Sequence, residues 1–328
     1  MTIRVGIYGY GNLGKGVEKA LRAAPDMELA GVFTRRNPDS ITLLDGSHAR
    51  SVADALTMKD AIDVMILCGG SATDLPTQTP QMAEFFHVVD SFDTHANIPQ
   101  HFAAVDAVCK NACTVGIISG GWDPGLFSIN RALMEAVLPQ GNTYTFWGRG
   151  VSQGHSEAIR GIRDVLAAVQ YTVPVPSAIE SVRNLENPTF TTRQKHTREC
   201  FVVAKEGADL ARIEQEIKTM ENYFADYDTF VTFITMEELQ QKHSAMPHGG
   251  FVMRSGTTGE GEALQNHSLE FGLQLQSNPE FTSSVLVACA RAAIRFAQQK
   301  AYGAKTVLDI PIGYYSQQSA EELRKTLL

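Results

Sequence analysis

The chain has 328 residues, of which 44% are hydrophobic and 20% are charged, a composition typical of a globular protein with a substantial core. Its formal net charge of −8 argues against nucleic acid or an anionic membrane surface as the partner, because both bind to basic faces. No apolar run approaches the roughly 18 residues that span a bilayer. The first residues enter a strand pattern at once, so we expect neither a membrane span nor a leader peptide.

Strand and helix patterns alternate over the first 120 residues. Apolar runs rich in β-branched residues predict strands over 3–9, 27–34, 61–70, 86–93 and 112–119. Apolar residues at helical spacing predict helices over 13–23, 80–86 and 101–112. This alternation predicts an α/β fold, a Rossmann-type doubly wound parallel sheet, in which ligands bind beyond the carboxyl ends of the strands.

The pattern changes after residue 140. Segments 143–148, 170–175, 199–204 and 229–235 predict an antiparallel sheet, with a helix over 211–220. The polar, glycine-rich segment 253–266 is typical of a mobile loop, and residues 283–301 predict a long helix that returns to the first domain. We therefore expect a dinucleotide-binding domain at 1–120, on which the segment 285–328 packs, and a second, α+β domain at 121–284.

A glycine-rich turn follows the first predicted strand and opens the first predicted helix. The segment GYGNLG fits the G-x-G-x-x-G pattern through Gly9, Gly11 and Gly14. In a dinucleotide site these glycines permit a tight turn, approach of the backbone to a pyrophosphate, and close packing of helix on strand. A glycine-rich turn without a ligand is the alternative, but the position at the start of a βαβ unit favours a dinucleotide.

The end of the second strand indicates which dinucleotide is bound. An NAD site places an acidic residue there for the ribose 2′-hydroxyl, whereas this chain has Thr34, Arg35 and Arg36. Two guanidinium groups and a hydroxyl suit a 2′-phosphate, and we expect no carboxylate beside them to repel it. A solvated basic turn is the alternative, and NADP is the preferred cofactor.

Two aspartates, Asp93 and Asp123, follow successive predicted strands. Asp123 lies in SGGWDPG, a segment whose glycines and proline interrupt regular secondary structure. A single Asp in such a place is often a helix cap. A pair at neighbouring strand ends is suited to holding a substrate ammonium, and one of the two can accept its proton before hydride leaves the adjacent carbon.

Cysteines and histidines indicate neither disulfides nor a metal. The five cysteines include no CxxC pair and are odd in number, which predicts reduced thiols in a cytosolic protein. The nine histidines include no HExxH motif and no cluster at zinc spacing, so we expect no metal.

Motifs along nearly the whole chain carry a specific resemblance. They are GYGNLG, FTRR, CGGSATD, SFDTH, SGGWDPGLFSINR, TFWG, SQGHS, QYT, MPHGG and SNPEF. Through them, and above all through the WDPG, SQGHS and MPHGG segments, the sequence resembles meso-diaminopimelate D-dehydrogenase, an NADP-dependent bacterial family. The resemblance implies that the protein is a homodimer and that its second domain both binds substrate and mediates dimerisation. We expect this dimer to be cytoplasmic, as the reduced cysteines also indicate.

Site residues follow from the resemblance by motif. It assigns to the cofactor the glycine-rich turn and the ends of the neighbouring strands: Gly9, Tyr10, Gly11, Asn12, Leu13, Gly14, Thr34, Arg35, Arg36, Cys68, Gly69, Gly70, Ser71, Ser91, Phe92, Asp93, Gly120, Gly121, Trp122, Asp123 and Pro124. It assigns to the substrate Asp93, Trp122, Asp123, Trp147, Gln153, Gly154, Thr172, Arg198, His248 and Asn278. Within this set Asp93 and Asp123 are the catalytic pair at the D-centre, and the last four bind the distal L-amino-acid end.

Some of these assignments have rivals. Without the family, His248 reads as a structural histidine and Arg198 as half of a surface ion pair. The length of the segment 253–266 leaves Asn266 as a rival to Asn278, and Gly70 stands where a relative can carry another small residue.

The activity implied by the resemblance is a reversible oxidative deamination. The D-centre of meso-2,6-diaminopimelate is oxidised with NADP⁺ to give L-2-amino-6-oxopimelate and ammonia, a reaction of lysine and peptidoglycan-precursor metabolism. A broader D-amino-acid dehydrogenase of the same fold and a non-catalytic NADP(H) sensor are the alternatives. The physiological direction and the identity of the proton-accepting Asp stay open.

Overall fold

A computed structural model describes residues 2–328 and divides them into two compact units. The first unit contains the residues up to Ile129 together with Pro279–Leu328, and the second contains Asn130–Asn278. The expected boundaries, at 120 and 284, therefore fall inside the first unit. Local hydrogen bonds explain this: the Gly120 N–H donates to the Asp90 carbonyl at 2.8 Å, and Ser283 Oγ donates to the Leu13 carbonyl at 2.9 Å.

The first unit is built on a parallel sheet of seven strands. Numbered along the chain, these are β1 (Ile3–Tyr8), β2 (Met27–Thr34), β3 (Arg50–Ser51), β4 (Val64–Leu67), β5 (His87–Asp90), β6 (Val115–Ile117) and β14 (Gly303–Lys305). They lie in the order β14-β6-β5-β4-β1-β2-β3, and every pairing is parallel. All four residues of β4 are buried, as expected of a strand that is covered on both faces.

Helices cover both faces of this sheet, as the doubly wound fold requires. They are α1 (Asn12–Arg22), α2 (Leu75–Ala83), α3 (Ile98–Ala112) and α10 (Asn278–Gln298), while α4 (Leu126–Val137) continues into the second unit. The last helix, α11 (Ala320–Leu327), has no buried residue. One apolar cluster joins the sheet to α1 and α10, and another joins it to α2 and α3. Helix α2 lies at Leu75–Ala83 and not at the predicted 80–86, so both of its ends come earlier in the chain. Pro76 is accommodated in its first turn, where a proline is tolerated.

The long helix α10 packs directly on α1. A Cβ at Gly16 would lie 2.3 Å from Ser283 Oγ, so glycine is needed for this close approach. Farther along α10, the buried Arg291 forms an ion pair with Asp26, with Nη2 and Oδ1 2.8 Å apart. Arg291 thereby holds the pKa of the Asp26 carboxyl below its usual value. These contacts explain why Pro279–Leu328 belongs to the first unit.

The second unit contains two sheets. A four-stranded sheet has the order β11-β10-β9-β8, from β8 (Gly150–Val151), β9 (Val165–Pro174), β10 (His196–Ala204) and β11 (Asp228–Phe233). A three-stranded sheet has the order β13-β12-β7, from β7 (Gly141–Trp147), β12 (His248–Thr258) and β13 (Gln265–Leu275). All pairings are antiparallel except β10 with β11, which is parallel.

Shorter elements complete the chain. The helices of the second unit are α5 (Gln153–Arg160), α6 (Pro176–Arg183), α7 (Thr192–Lys195), α8 (Leu210–Lys218) and α9 (Met236–His243). Single 3₁₀ segments lie at Pro38–Ser40, Val52–Ala61, His95–Asn97, Gly261–Ala263, Val307–Asp309 and Ile312–Tyr314. Among residues 2–328 no helix combines the length and apolarity that a bilayer crossing requires, and the five cysteines are free thiols.

The prediction of a mobile loop at 253–266 is wrong for most of that segment. Residues 253–258 complete β12 and residues 265–266 begin β13, so only the connection between them is a turn. Met253, Arg254 and Ser255 are buried because β12 is the central strand of its sheet. Residues 253–256 pair with both β7 and β13, which a local pattern does not reveal.

Candidate functional site

The glycine-rich turn joins β1 to α1 and leaves space at its tip. Gly9 has a φ of +101°, which glycine adopts without strain. A Cβ at Gly14 would lie 2.1 Å from the Gly9 carbonyl oxygen, so only glycine lets the helix start this close to the strand. A Cβ at Gly11 would meet nothing within 4 Å. The turn therefore has the shape of a phosphate cradle at a helix N-terminus.

Arg36 is bound to this turn. Thr34 ends β2, and its Oγ1 accepts a hydrogen bond from the Arg36 N–H at 3.1 Å. The Arg36 guanidinium donates to the carbonyl of Tyr10, within the glycine-rich turn. No ion pair is formed by Arg36 within residues 2–328. Its charge is thus held beside the turn without a neutralising carboxylate.

Arg35 differs, because it has an acidic partner. Both of its terminal nitrogens lie 2.9 Å from the carboxylate oxygens of Asp74, which also accepts from the Gly70 N–H at 2.8 Å. The Gly70 amide and Arg35 together hold the pKa of the Asp74 carboxyl below its usual value. The expectation that no carboxylate lies beside the two arginines is therefore wrong. The loop before α2 brings Asp74 to the end of β2, a contact between distant segments.

The loop from Cys68 to Ser71 follows β4 and is tied to both neighbouring strand ends. The Cys68 N–H donates to the Tyr8 carbonyl at 2.8 Å, and Ser71 Oγ accepts from the Asp93 N–H at 2.8 Å. Burial raises the pKa of the Cys68 thiol, so this sulfur is neutral rather than a nucleophilic thiolate. Cys68 and Gly69 are half-buried and Gly70 is exposed, so this loop has the accessibility that a cofactor contact needs.

Asp93 lies just beyond the end of β5. Phe92 is buried, Ser91 is half-buried and Asp93 is exposed. Thr94, rather than Asp93, precedes the short helix His95–Asn97 as its cap residue. The helix-cap alternative for Asp93 is therefore not supported, and its carboxylate projects from a backbone held by Ser71.

Asp123 lies in a closed turn just beyond β6. Trp122 and Gly125 form an isolated bridge, and the Phe127 N–H donates to the Trp122 carbonyl at 2.8 Å. A Cβ at Gly125 would lie 1.6 Å from the Gly121 carbonyl oxygen, so the turn closes only with glycine there. Trp122 is buried with its ring edge-on to Phe127, whereas Asp123 stays half-exposed. The turn explains the unusual WDPG segment: it fixes Asp123 at an accessible tip.

Arg198, in the second unit, is a buried cation without a carboxylate partner. Its side chain is only 6% exposed, and Nη1 donates to the Thr172 hydroxyl on the paired strand β9. The guanidinium carbon lies 3.8 Å from the centre of the Tyr227 ring. Nε has no hydrogen-bond partner, and no ion pair of Arg198 occurs within residues 2–328. Arg198 is therefore not half of a surface ion pair. Burial lowers the pKa of its guanidinium. An anionic ligand would compensate this buried charge.

His248 lies close to the strand that carries Thr172, the hydrogen-bond partner of Arg198. It begins β12, and a Cβ at Gly150 would lie 2.4 Å from its ring. Gly150 is in turn paired with Thr172 on β9. The His248 Nδ1 lies 2.8 Å from the Gly249 N–H and 3.3 Å from the Gly249 carbonyl oxygen, so contacts with the adjacent residue orient the ring.

The register of β12 with β13 distinguishes the two candidate asparagines. His248 pairs with Leu275, and Asn278, three residues farther along, donates its N–H to the Met246 carbonyl at 3.0 Å. Asn266 pairs with Thr257 at the opposite end of the same ladder. Asn278 therefore lies beside the MPHGG segment and Asn266 does not.

Trp147 ends β7 and is 36% exposed. His196 accepts from the Trp147 N–H through Nε2 at 2.9 Å and stacks on the indole. Burial and the charge of Arg198 lower the pKa of His196 to about 3, which keeps Nε2 an acceptor at neutral pH. Gln153 and Gly154 are exposed in the first turn of α5.

Sequence reasoning missed several partners of the predicted residues. Asp74 is the last residue of the CGGSATD motif, so the motif itself carried a signal for this residue. Tyr227 and His196 carry no local signal, since each acts through pairing of distant strands. Within residues 2–328 no group of three or more metal-binding side chains is assembled.

Comparisons with known proteins cover both units. Residues 121–277 match the family model of the diaminopimelic acid dehydrogenase C-terminal domain. Over 326 residues the chain is 61% identical to meso-diaminopimelate D-dehydrogenase of Ureibacillus thermosphaericus, which covers 99% of each sequence.

Several solved structures match over 100% of both chains, including two with ligands bound. A variant of meso-dapdh from Clostridium tetani E88 with six substitutions, in complex with DAP, aligns with a TM-score of 0.94 and 52% identity. An engineered D-amino acid dehydrogenase bound to NADP⁺ aligns with a TM-score of 0.86 and 43% identity. The prediction of a Rossmann-type sheet with a second α+β domain is confirmed.

Proposed function

We propose, since this chain belongs to the meso-diaminopimelate D-dehydrogenase family, that it catalyses the NADP-dependent, reversible oxidative deamination of the D-centre of meso-2,6-diaminopimelate. The products are L-2-amino-6-oxopimelate and ammonia. The observation that carries the choice of a diacid substrate is Arg198, a buried guanidinium without a carboxylate partner within residues 2–328.

The residues of the first unit fit NADP. The glycine-rich turn offers a helix N-terminus to the pyrophosphate, with space at Gly11 where a Cβ would touch nothing. Arg36 places an unpaired charge beside that turn for the 2′-phosphate, and Thr34 holds the backbone of Arg36. When bound, the nicotinamide ring supplies the hydride acceptor.

Asp93 and Asp123 are the groups we assign to the D-centre. Their carboxylates hold the ammonium group of the substrate and orient the α-carbon. As the amine becomes an imine its nitrogen loses a proton, and either carboxylate can accept it. Water then adds to the imine carbon, which releases ammonia and leaves the carbonyl group.

Thr172, Arg198, His248 and Asn278 of the second unit are assigned to the distal L-amino-acid end. Arg198 binds the distal carboxylate with its N–H groups, and the Thr172 hydroxyl and the His248 ring add further polar contacts. A D-amino acid without this end leaves those groups unpaired, so it is expected to react poorly. This argues against the broader D-amino-acid dehydrogenase. Trp147, Gln153 and Gly154 are assigned to the substrate as well.

The resemblance also supports three statements about context. We propose that the protein is a cytoplasmic homodimer, formed through the second unit. We place the reaction in lysine and peptidoglycan-precursor metabolism. In the reverse direction the same reaction fixes ammonia.

The substrate panel tests the function itself. Purified protein is assayed with meso-, LL- and DD-diaminopimelate, each with NADP⁺ and with NAD⁺, by following formation of the reduced cofactor. We expect turnover of the meso isomer with NADP⁺, much slower turnover of the DD isomer and none of the LL isomer, which has no D-centre. Equal rates on meso and LL substrate would refute the assignment.

Arg198→Met tests the distal carboxylate site. Because D-lysine is meso-diaminopimelate without that carboxylate, kcat/KM for meso-diaminopimelate should fall by about 100-fold or more while that for D-lysine changes little. Arg193→Met, at an exposed arginine of the same unit, is the control and should leave both values unchanged. A parallel loss on both substrates would show that Arg198 does not read this group.

Asp123→Ala tests the D-centre. We expect kcat to fall by about 100-fold or more, because the ammonium loses an oriented partner, while the Kd for NADPH, measured by titration, stays nearly unchanged. Asp45→Ala, in an exposed turn, is the matched control. Turnover at the wild-type rate in Asp123→Ala would remove this residue from the site.

Arg36→Ala and Arg35→Ala test the 2′-phosphate contact as a matched pair. Since Asp74 neutralises Arg35, Arg36→Ala should raise KM for NADP⁺ by about 10-fold or more, and Arg35→Ala by less. KM for NAD⁺ should change little in either variant. Equal effects on the two cofactors would show that neither arginine reads the phosphate.

A further inference from the structure

Asp90 is a buried carboxylate at the end of β5 that the reaction as described above does not use. Its exposed fraction is 0%. Oδ1 accepts from the Phe92 N–H at 3.0 Å and from the Ser119 N–H at 2.9 Å. Oδ2 accepts from Thr79 Oγ1 at 2.7 Å and lies 2.7 Å from His101 Nε2. Every lone pair that a carboxylate can offer within this core is therefore engaged.

The two amides on Oδ1 belong to the two loops that carry the proposed catalytic pair. Phe92 directly precedes Asp93, and Ser119 opens the segment that leads to Asp123. The backbone carbonyl of Asp90 also accepts from the Gly120 N–H at 2.8 Å. One residue of β5 thus fixes the start of both loops, and a single oxygen atom is shared between them.

The conformation of Ser119 shows that its loop needs such support. Ser119 has a φ of +56°, in the left-handed region that a serine enters only at a cost. Its N–H bond to Asp90 and the adjacent Gly120 bond hold the backbone in this state. On the other side, the His101 ring stacks on Phe92 with centroids 4.3 Å apart, so the Phe92 loop is held by both Asp90 and His101.

We propose that Asp90 is a positioning residue that sets the placement of Asp93 and Asp123 relative to each other through the Phe92 and Ser119 amides. The inference rests on the proposed function, in which these two carboxylates hold one ammonium group. Two groups that must reach the same nitrogen have to be placed to within about 1 Å, and an error of that size costs about 100-fold in rate. Asp90 Oδ1, as the shared acceptor for the loops that follow β5 and β6, provides this accuracy.

The test compares variants that keep or remove the acceptor. Asp90→Asn retains an oxygen for both amides, whereas Asp90→Leu has a similar size and no acceptor. We expect Asp90→Leu to lower kcat by about 100-fold with KM for NADP⁺ within about threefold of wild type, and Asp90→Asn to restore kcat to within about tenfold. Asp90→Ser, which is too short to reach both amides and admits water, gives the same answer if the leucine variant does not fold.

Arg291→Met is the control for stability. It removes a buried charge from the same unit without touching either loop, so it should lower the melting temperature and leave kcat unchanged. Wild-type kcat in a folded Asp90→Leu or Asp90→Ser variant would overturn the proposal. So would a loss in Asp90→Asn as large as that in Asp90→Leu.

The proposed function and this inference fail separately. Wild-type turnover of meso-diaminopimelate is measured first and decides the function. The ratio of variant to wild-type kcat decides the role of Asp90, and it can be measured on whichever D-amino acid the wild-type protein oxidises.

Discussion

The parallel pairing of β5 with β6 is the constraint on which the proposed D-centre depends. Val88 pairs with Gly116 and Val89 with Ile117, so both strands end at the same edge of the sheet. Gly116 lets α3 pack against β6, since a Cβ there would lie 2.7 Å from Val105 Cγ1. The loops to the two proposed catalytic aspartates therefore leave from neighbouring strand ends. The sheet brings the two loops together, and the Asp90 hydrogen bonds hold their first residues.

The second unit uses a different physical device, a charge that folding leaves uncompensated. Arg198 is surrounded by a hydroxyl and an aromatic ring, which stabilise a cation less than a carboxylate does. Under the proposed function, the distal carboxylate of the substrate offsets this cost. A substrate without that carboxylate would leave the cost in place, which is the proposed source of selectivity.

The first unit was largely predictable from sequence, and the reason is physical. Strands of a covered parallel sheet are largely apolar runs, and the predicted strand 27–34 has the same bounds as β2. Because parallel strands end at one edge, motif residues after them could be grouped without coordinates. Local patterns could not supply the contacts between side chains of distant segments. Examples are the ion pair of Arg35 with Asp74 and the cation–π contact of Arg198 with Tyr227. The strand character of 253–258 was hidden for the same reason, since it comes from partners on either side.

The return of the chain to the first unit has a consequence for the order of folding. The second unit is one continuous segment that is complete at Asn278, whereas the first sheet lacks its edge strand β14 until Lys305 has been made. On the ribosome, the middle of the polypeptide can reach its native state while the earlier-made sheet still exposes the edge of β6. The part synthesised first is thus completed later than the second unit, because α10 and β14 follow Asn278 in the chain.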